Sequence, residues 1–368
     1  MRRGAEGYFT LNNRHNGEKQ MKRNAIDIED AVLLDNKLWF LLSDYKCLVA
    51  MDIETKETKT YTIPSSGSYT QARSYGSMAL VGRRIYLIPL CDRMLFQFDV
   101  DSEEFEEIKI DSEVIENKTI LFMAIGVYHK YLFVMGISVP AVLRVNTENN
   151  HIDYITDWKF TVEKQIFDSK DAYFRKQSVV IEDKLYVPFC NANAVLEIDC
   201  NTLKTVIHSM GGEKQGYSGI CFDGESLWLS PRKNGSIKKW NLHINQVDAI
   251  SIFGLEELGD TLTYVGIVLN RDKKILLPNM NKQDMTIEVD DVEVLKGSYV
   301  VAQDDKENTI FYERNSGIFT VIDRVSMTQT EIEIEKVDVD IEKILSESNN
   351  FTIENSAFTI WDFIRGVC

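Results

Sequence analysis

The stretch LFQFDVDSEEFEEIKI (95–110) holds the pattern that decides how this chain folds. An apolar run ends on Asp99, a short polar turn follows, and a second strand-like run begins. The same order returns in LVAMDIETKETKTYTI (48–63), VLRVNTENNHIDYI (142–155), VLEIDCNTLKTVI (195–207), IKKWNLHINQVDAI (237–250), MTIEVDDVEVL (285–295) and FTVIDRVSMTQTEIEI (319–334). The marker residues are Asp52, Asp99, Asn146, Asp199, Asn241, Asp290 and Asp323, at a mean spacing of about 45 residues. An Asp or Asn at the head of a turn bonds the backbone two residues on, so the markers are expected to be structural rather than catalytic.

Working outward, two more strand-like segments precede each marker. They read SMALVG and RIYLIP before Asp99, SVVIED and KLYVP before Asp199, and SGICFDG and SLWLSP before Asn241. Each unit is therefore four short strands, A to D, with A–B turns at Gly82-Arg83, Glu182-Asp183 and Asp223-Gly224. Four-stranded meanders repeated along a chain with few helical signals predict an all-β ring closed by radial repetition. In this the chain resembles β-propellers of the kelch and quinoprotein-like style over residues 27–338. The expectation is about seven four-stranded blades, with six as the alternative should the short sixth unit not form one. The double glycine of kelch repeats occurs once, as Gly211-Gly212, and the GH…WD signature of WD40 blades is absent, so no narrower family is named. Residues 1–26 form a basic N-terminal extension, in which GYFTLNN could add an edge strand. Residues 339–368 form a C-terminal tail with a short helix-like run carrying Phe358, Trp361, Phe363 and Ile364.

Composition narrows the partners. Across 368 residues, 57 acidic side chains against 41 Lys and Arg leave a net charge of −16. Such a surface argues against bulk binding to nucleic acid or to anionic membranes. The six cysteines form no CxxC and sit mostly in apolar runs, which reads as buried, reduced thiols. The first residues lack the apolar core of a signal peptide, and no run approaches the roughly 18 apolar residues of a membrane helix. A cytoplasmic protein without cofactor or metal is expected.

Propeller geometry divides the loops into two faces. The A–B and C–D turns share one face, rich in acids such as those of DIETKE and DVDSEEFEE. The B–C and D–A loops share the other, and there basic and amide residues gather: Arg73, Arg175, Lys176 and Lys214 before strand A, with Arg93, Asn191, Asn193, Arg232, Lys233, Asn234, Asn279, Asn281 and Lys282 after strand B. Fold analogy favours this loop face for ligands, an association rather than a physical warrant. The candidate ligand-binding residues are Arg73, Tyr75, Arg175, Lys176, Asn191, Lys214, Tyr217 and Arg232. Arginine pairs bidentately with carboxylate or phosphate, and tyrosine stacks on sugars or rings. The plainer reading is that the bases pair with nearby acids such as Asp171 and Glu213. Prolines 89, 188, 231 and 278, each closing a strand B, read as scaffold.

No HExxH, CxxC, GxSxG or P-loop pattern is present, and the five histidines have no metal-ligand spacing. The sequence therefore assigns no activity. It points to a binding or scaffold propeller for an anionic small molecule, glycan or peptide. The alternatives are a carbohydrate-active or lyase-type enzyme using Asp92, Asp171 or Glu213 with Tyr75 or Tyr217, and a protein-interaction module working through the tail.

Overall fold

The computed structural model describes residues 28–42, 46–64, 73–168, 172–233, 235–252, 264–271, 273–279, 292–304 and 307–334. These form seven separate sheets at residues 30–62, 75–109, 122–155, 179–209, 217–250, 264–294 and 299–333, arranged as the seven blades of a β-propeller. The six-bladed alternative is thereby set aside. Six sheets are four-stranded antiparallel meanders. The sixth departs from that plan: among the described residues it has three strands, and Val292–Val294 runs parallel to Lys273–Pro278. Both proposed domain boundaries and the extra edge strand fall outside the described residues.

The markers make the turns. Asp52 Oδ1 accepts the N–H groups of Glu54 and Thr55, at 3.0 and 2.8 Å. Asp99, Asp199, Asn241 and Asp323 each accept from the residues two and three positions on, and Asn146 from Glu148. Four residues after each marker the backbone turns left-handed, at Lys56, Glu103, Asn150, Leu203, Asn245 and Met327. One five-residue turn is thus built six times by the same side-chain bond. Asp290 lies outside the described residues.

Alternation along the strands buries a wall of side chains on both faces of every blade, and seven apolar clusters fill the seven gaps between neighbours. Between the first and second blades Trp39 lies 5.6 Å from Phe98. Phe40 meets Phe319, joining the first blade to the last. Among the described residues the ring is closed by packing, and the first and last blades hold four strands each from one continuous stretch.

Prolines 89, 188, 231 and 278 are the last residues of their B strands, as a missing N–H requires. Five cysteines are described and all are free: Cys47, Cys190, Cys200 and Cys221 are buried and Cys91 half-buried. Among the described residues no helix is long and apolar enough to cross a membrane. Among the described residues the one helical insertion, Trp158–Val162 followed by a turn of 3-10 helix, occupies the connection from the third blade to the fourth.

Candidate functional site

The seven inner strands surround an axial channel. Each inner strand is the edge of its sheet, and near the loop face these edges are laced to one another by side chains. Asp30 Oδ2 accepts from Met78 N at 2.7 Å, Ser77 Oγ donates to Met123 O at 2.6 Å, and Ser178 Oγ donates to Ile125 O. Gln303 Oε1 accepts from Leu33 N at 3.4 Å across the closure of the ring.

Gln177 does the most. Its amide copies a peptide group, accepting from Ile267 N at 3.0 Å and donating to Ile267 O at 2.9 Å, while also donating to Asp304 at 3.0 Å. The side chain thus leaves the fourth blade, crosses the axis, and pairs with the sixth and seventh. Gly219 and Gly266 make room for it. A Cβ added to Gly219 would lie 2.1 Å from Gln177 Oε1 and 2.6 Å from Gly266 Cα, so any larger residue would displace this crosslink.

Beside Gln177 sits a cluster of charges. The Arg73 guanidinium donates to Glu29 Oε2, and Lys176 Nζ donates to Glu29 O and lies 3.8 Å from Asp30. The carboxylates are the more deeply buried partners: Glu29 and Asp30 side chains are 3% and 1% exposed, against 19% for Arg73 and 14% for Lys176. Burial works to raise Glu29, but Arg73, Lys176 and Arg314 outweigh it and hold the carboxyl below its usual range. For Asp30 burial prevails, and its pKa is pushed up to about 7. Burial lowers Lys176. Arg73 also holds a left-handed backbone (φ 61°), which costs a non-glycine residue on the order of 1 kcal/mol.

Of the eight residues singled out from the sequence, Arg73 and Lys176 meet over Glu29. Arg175, adjacent in the chain, is half-buried. Tyr75 and Tyr217 are fully buried in the packing between blades, so neither ring offers the stacking surface expected of it. Tyr217 donates to Asn193 Oδ1, while Tyr75 packs edge-on to Phe96. Burial, with Asp92 nearby, pushes the Tyr75 hydroxyl far above its ordinary value. Asn191 and Arg232 are 1% exposed and belong to the polar underside of the loops: Asn191 O accepts from Phe167 N, and Arg232 N donates to Gly216 O. Lys214 is exposed at the rim.

The candidate acids are similarly engaged. Asp92 Oδ1 caps the N–H groups of Arg93 and Met94, and Glu213 takes Lys238 at 2.9 Å and Asn193 at 3.0 Å. Asp171, Asn234, Asn281 and Lys282 lie outside the described residues. Among the described residues no group of three or more His, Cys, Asp or Glu is placed to hold a metal.

Sequence reading missed Glu29, Asp30 and Gln177. A signal existed for the first two: they stand at the start of the first inner strand, in the place that Arg73 holds before the second.

No family model matches the sequence. No curated protein matches it either. Among solved structures the chain is similar to virginiamycin B lyase from Staphylococcus aureus, with a TM-score of 0.52 and 9% identity over 86% of this chain and 87% of the lyase. It is likewise similar to U3-55K (TM-score 0.51, 9% identity, 84% and 90% covered) and to the WD40 repeats of RRP9 (0.50, 10%, 84% and 88%). At such identities the likeness is one of fold alone. It spans a lyase and WD40 repeats, so the fold selects no chemistry.

Proposed function

We propose that the chain is a binding propeller that seats an anionic small molecule, glycan or peptide over the loop-face end of its axis. One observation carries this reading: Arg73 and Lys176, brought together from distant loops, keep more exposure than Glu29 and Asp30, the two carboxylates they pair with. With Arg314 acting on the same Glu29, three cations face two acids, one of which titrates near neutrality. The outer surface of this cluster is therefore positive in a chain that is otherwise strongly acidic, and an arriving carboxylate or phosphate would find donors already oriented. Buried charges are a poor way to stabilise a fold, which favours a functional reason for keeping them. The enzyme alternative draws less support, because Asp92 and Glu213 are spent on capping and pairing and both tyrosines are enclosed.

A thermal-shift screen against anionic sugars, phosphates and short acidic peptides tests the reading. A ligand at 100 times its Kd raises stability by about 2.7 kcal/mol. Hits are expected to weaken with salt and with Arg73→Gln or Lys176→Met. A silent panel, or hits indifferent to both substitutions in a folded protein, would remove the proposal.

A further inference from the structure

Toward the turn face the same channel is a different chemical space. It opens into a cavity of about 1010 Å³ whose closed end is Lys176 and Gln177. Its walls are aliphatic and aromatic: Leu34, Leu80, Val127, Val180 and Phe222, from five inner strands, all line it and all keep some exposure. Val127 is 38% exposed. A concave apolar surface at the upper end of ligand-pocket size is the usual form of a binding site.

The mouth is anionic. Asp35, Glu182 and Glu307, all at A–B turns, line it directly. Around it stand the C–D turns, where Asp52, Asp99, Asp199 and Asp323 are held below the ordinary carboxylate range by the backbone N–H groups they cap. Several cations of this face are engaged with acids, Arg83 with Asp35 and Asp101, Lys130 with Glu148, and Arg324 with Asp304, while Lys37, Lys56, Arg271 and Lys273 also stand at its turns. Most of the side-chain bonds that lace the inner edges together fall within the first four positions of each strand, while Gln303 and Asp304, at the end of the seventh inner strand, accept from Leu33 and Gln177. Leu34, Leu80 and Val127 stand beyond the laced positions of their strands and line the cavity, and each of these strands is the edge of its sheet, the kind of edge to which an added strand pairs by its main chain.

We infer that the turn-face end of the channel is a second binding site, with only Lys176 in common with the loop-face cluster, that takes an extended peptide segment carrying aliphatic and basic side chains. Aliphatic side chains fill the walls, main-chain groups reach the inner edges, and basic groups meet the carboxylates at the rim. The focused negative potential draws such a segment to the mouth and turns an acidic one away.

The test is fluorescence anisotropy on the full chain with labelled (Lys-Val)₃, (Glu-Val)₃ and (Lys-Ser)₃ hexapeptides. The first is expected to bind at least about tenfold more tightly than the other two. Val127→Arg, which fills the cavity and adds a like charge, is expected to lower that affinity by about tenfold or more. Glu182→Lys, on an exposed turn, is expected to weaken it by a smaller factor and serves if Val127→Arg does not fold. Equal binding of (Lys-Ser)₃ would overturn the proposal by reducing it to surface charge. Equal binding of (Glu-Val)₃, no binding of (Lys-Val)₃, or indifference to both substitutions in folded protein would overturn it too.

Discussion

The two ends of the channel use acidic residues in opposite ways. At the turn face each marker spends its carboxylate or amide on N–H groups two or three residues ahead, and the bond is complete within one turn. At the loop face Glu29 answers to Arg73, 44 residues away, and to Lys176, 147 residues away. The first kind of acid shapes a hairpin and can be repeated indefinitely. The second is not repeated from blade to blade, holds separate blades in register, and is withdrawn from water. The difference teaches that in a repeat fold the recurring polar residues are the scaffold and the solitary ones mark where the ring is tied and where chemistry gathers.

The same exchange at both ends sharpens this comparison. Glu29→Ala removes the carboxylate that Arg73 bonds in a site sheltered from solvent, while the main-chain carbonyl that Lys176 bonds is kept. Removing one member of a buried pair typically costs about 3–5 kcal/mol, well beyond the worth of an exposed pair. A lowered melting midpoint, far larger than for any marker substitution, is the expected result. A Glu29→Ala protein that melts with the parent would break the comparison, because the cluster would then be ornament.

That contrast also explains what could be read from the chain in advance. The C–D turn is legible because its cause is local: marker, two accepted N–H bonds, and a left-handed residue four positions on all lie within five residues. Six copies of it set the order of the blades, while their number stays between six and seven because the sixth unit is short. The loop-face site is less legible because its partners are remote. Nothing in EKQ or RKQ foretells that Gln177 pairs with Ile267, 90 residues later, nor that Gly219 and Gly266 are small to admit it. Tyr75 and Tyr217 misled for the same reason. Their position at the start of an inner strand was read correctly, but only the neighbouring blade decides whether such a ring faces the axis or the core.

A second consequence of the loop-face arrangement is pH dependence. The pKa of Asp30 is raised by burial to about 7, against roughly 3.9 in an unfolded chain. The folded state therefore holds a proton that the unfolded state has already released between those values. Stability from this group is full below about pH 4 and declines as pH rises toward 7, with a slope approaching 1.4 kcal/mol per unit. Chemical denaturation at several pH values checks this, and Asp30→Asn is expected to flatten the slope. Ionised Asp30 also adds a negative charge beneath Arg73 and Lys176, so anion affinity at the loop face is expected to fall across the same interval. A slope of the opposite sign would mean that Lys176 holds Asp30 ionised and that the cluster is neutral outward.

The smallest effect belongs to the turn face. Asn241 Oδ1 accepts from His243 N at 3.0 Å and Ile244 N at 3.1 Å, and its amide donates to Glu225 at 2.6 Å. Asn241→Ala deletes these bonds where water can replace them, so the expected loss is about 1 kcal/mol, the net worth of an ordinary hydrogen bond. Asn241→Asp is expected to recover most of it, since Asp caps the equivalent turn in four other blades with the same geometry. It forfeits only the bond to Glu225, where two carboxylates would now face each other. Thermal melts of the two variants decide the point. If Asn241→Ala costs as much as Glu29→Ala, the turn is no local device but a fastening between blades, and the division between the two ends of the channel fails.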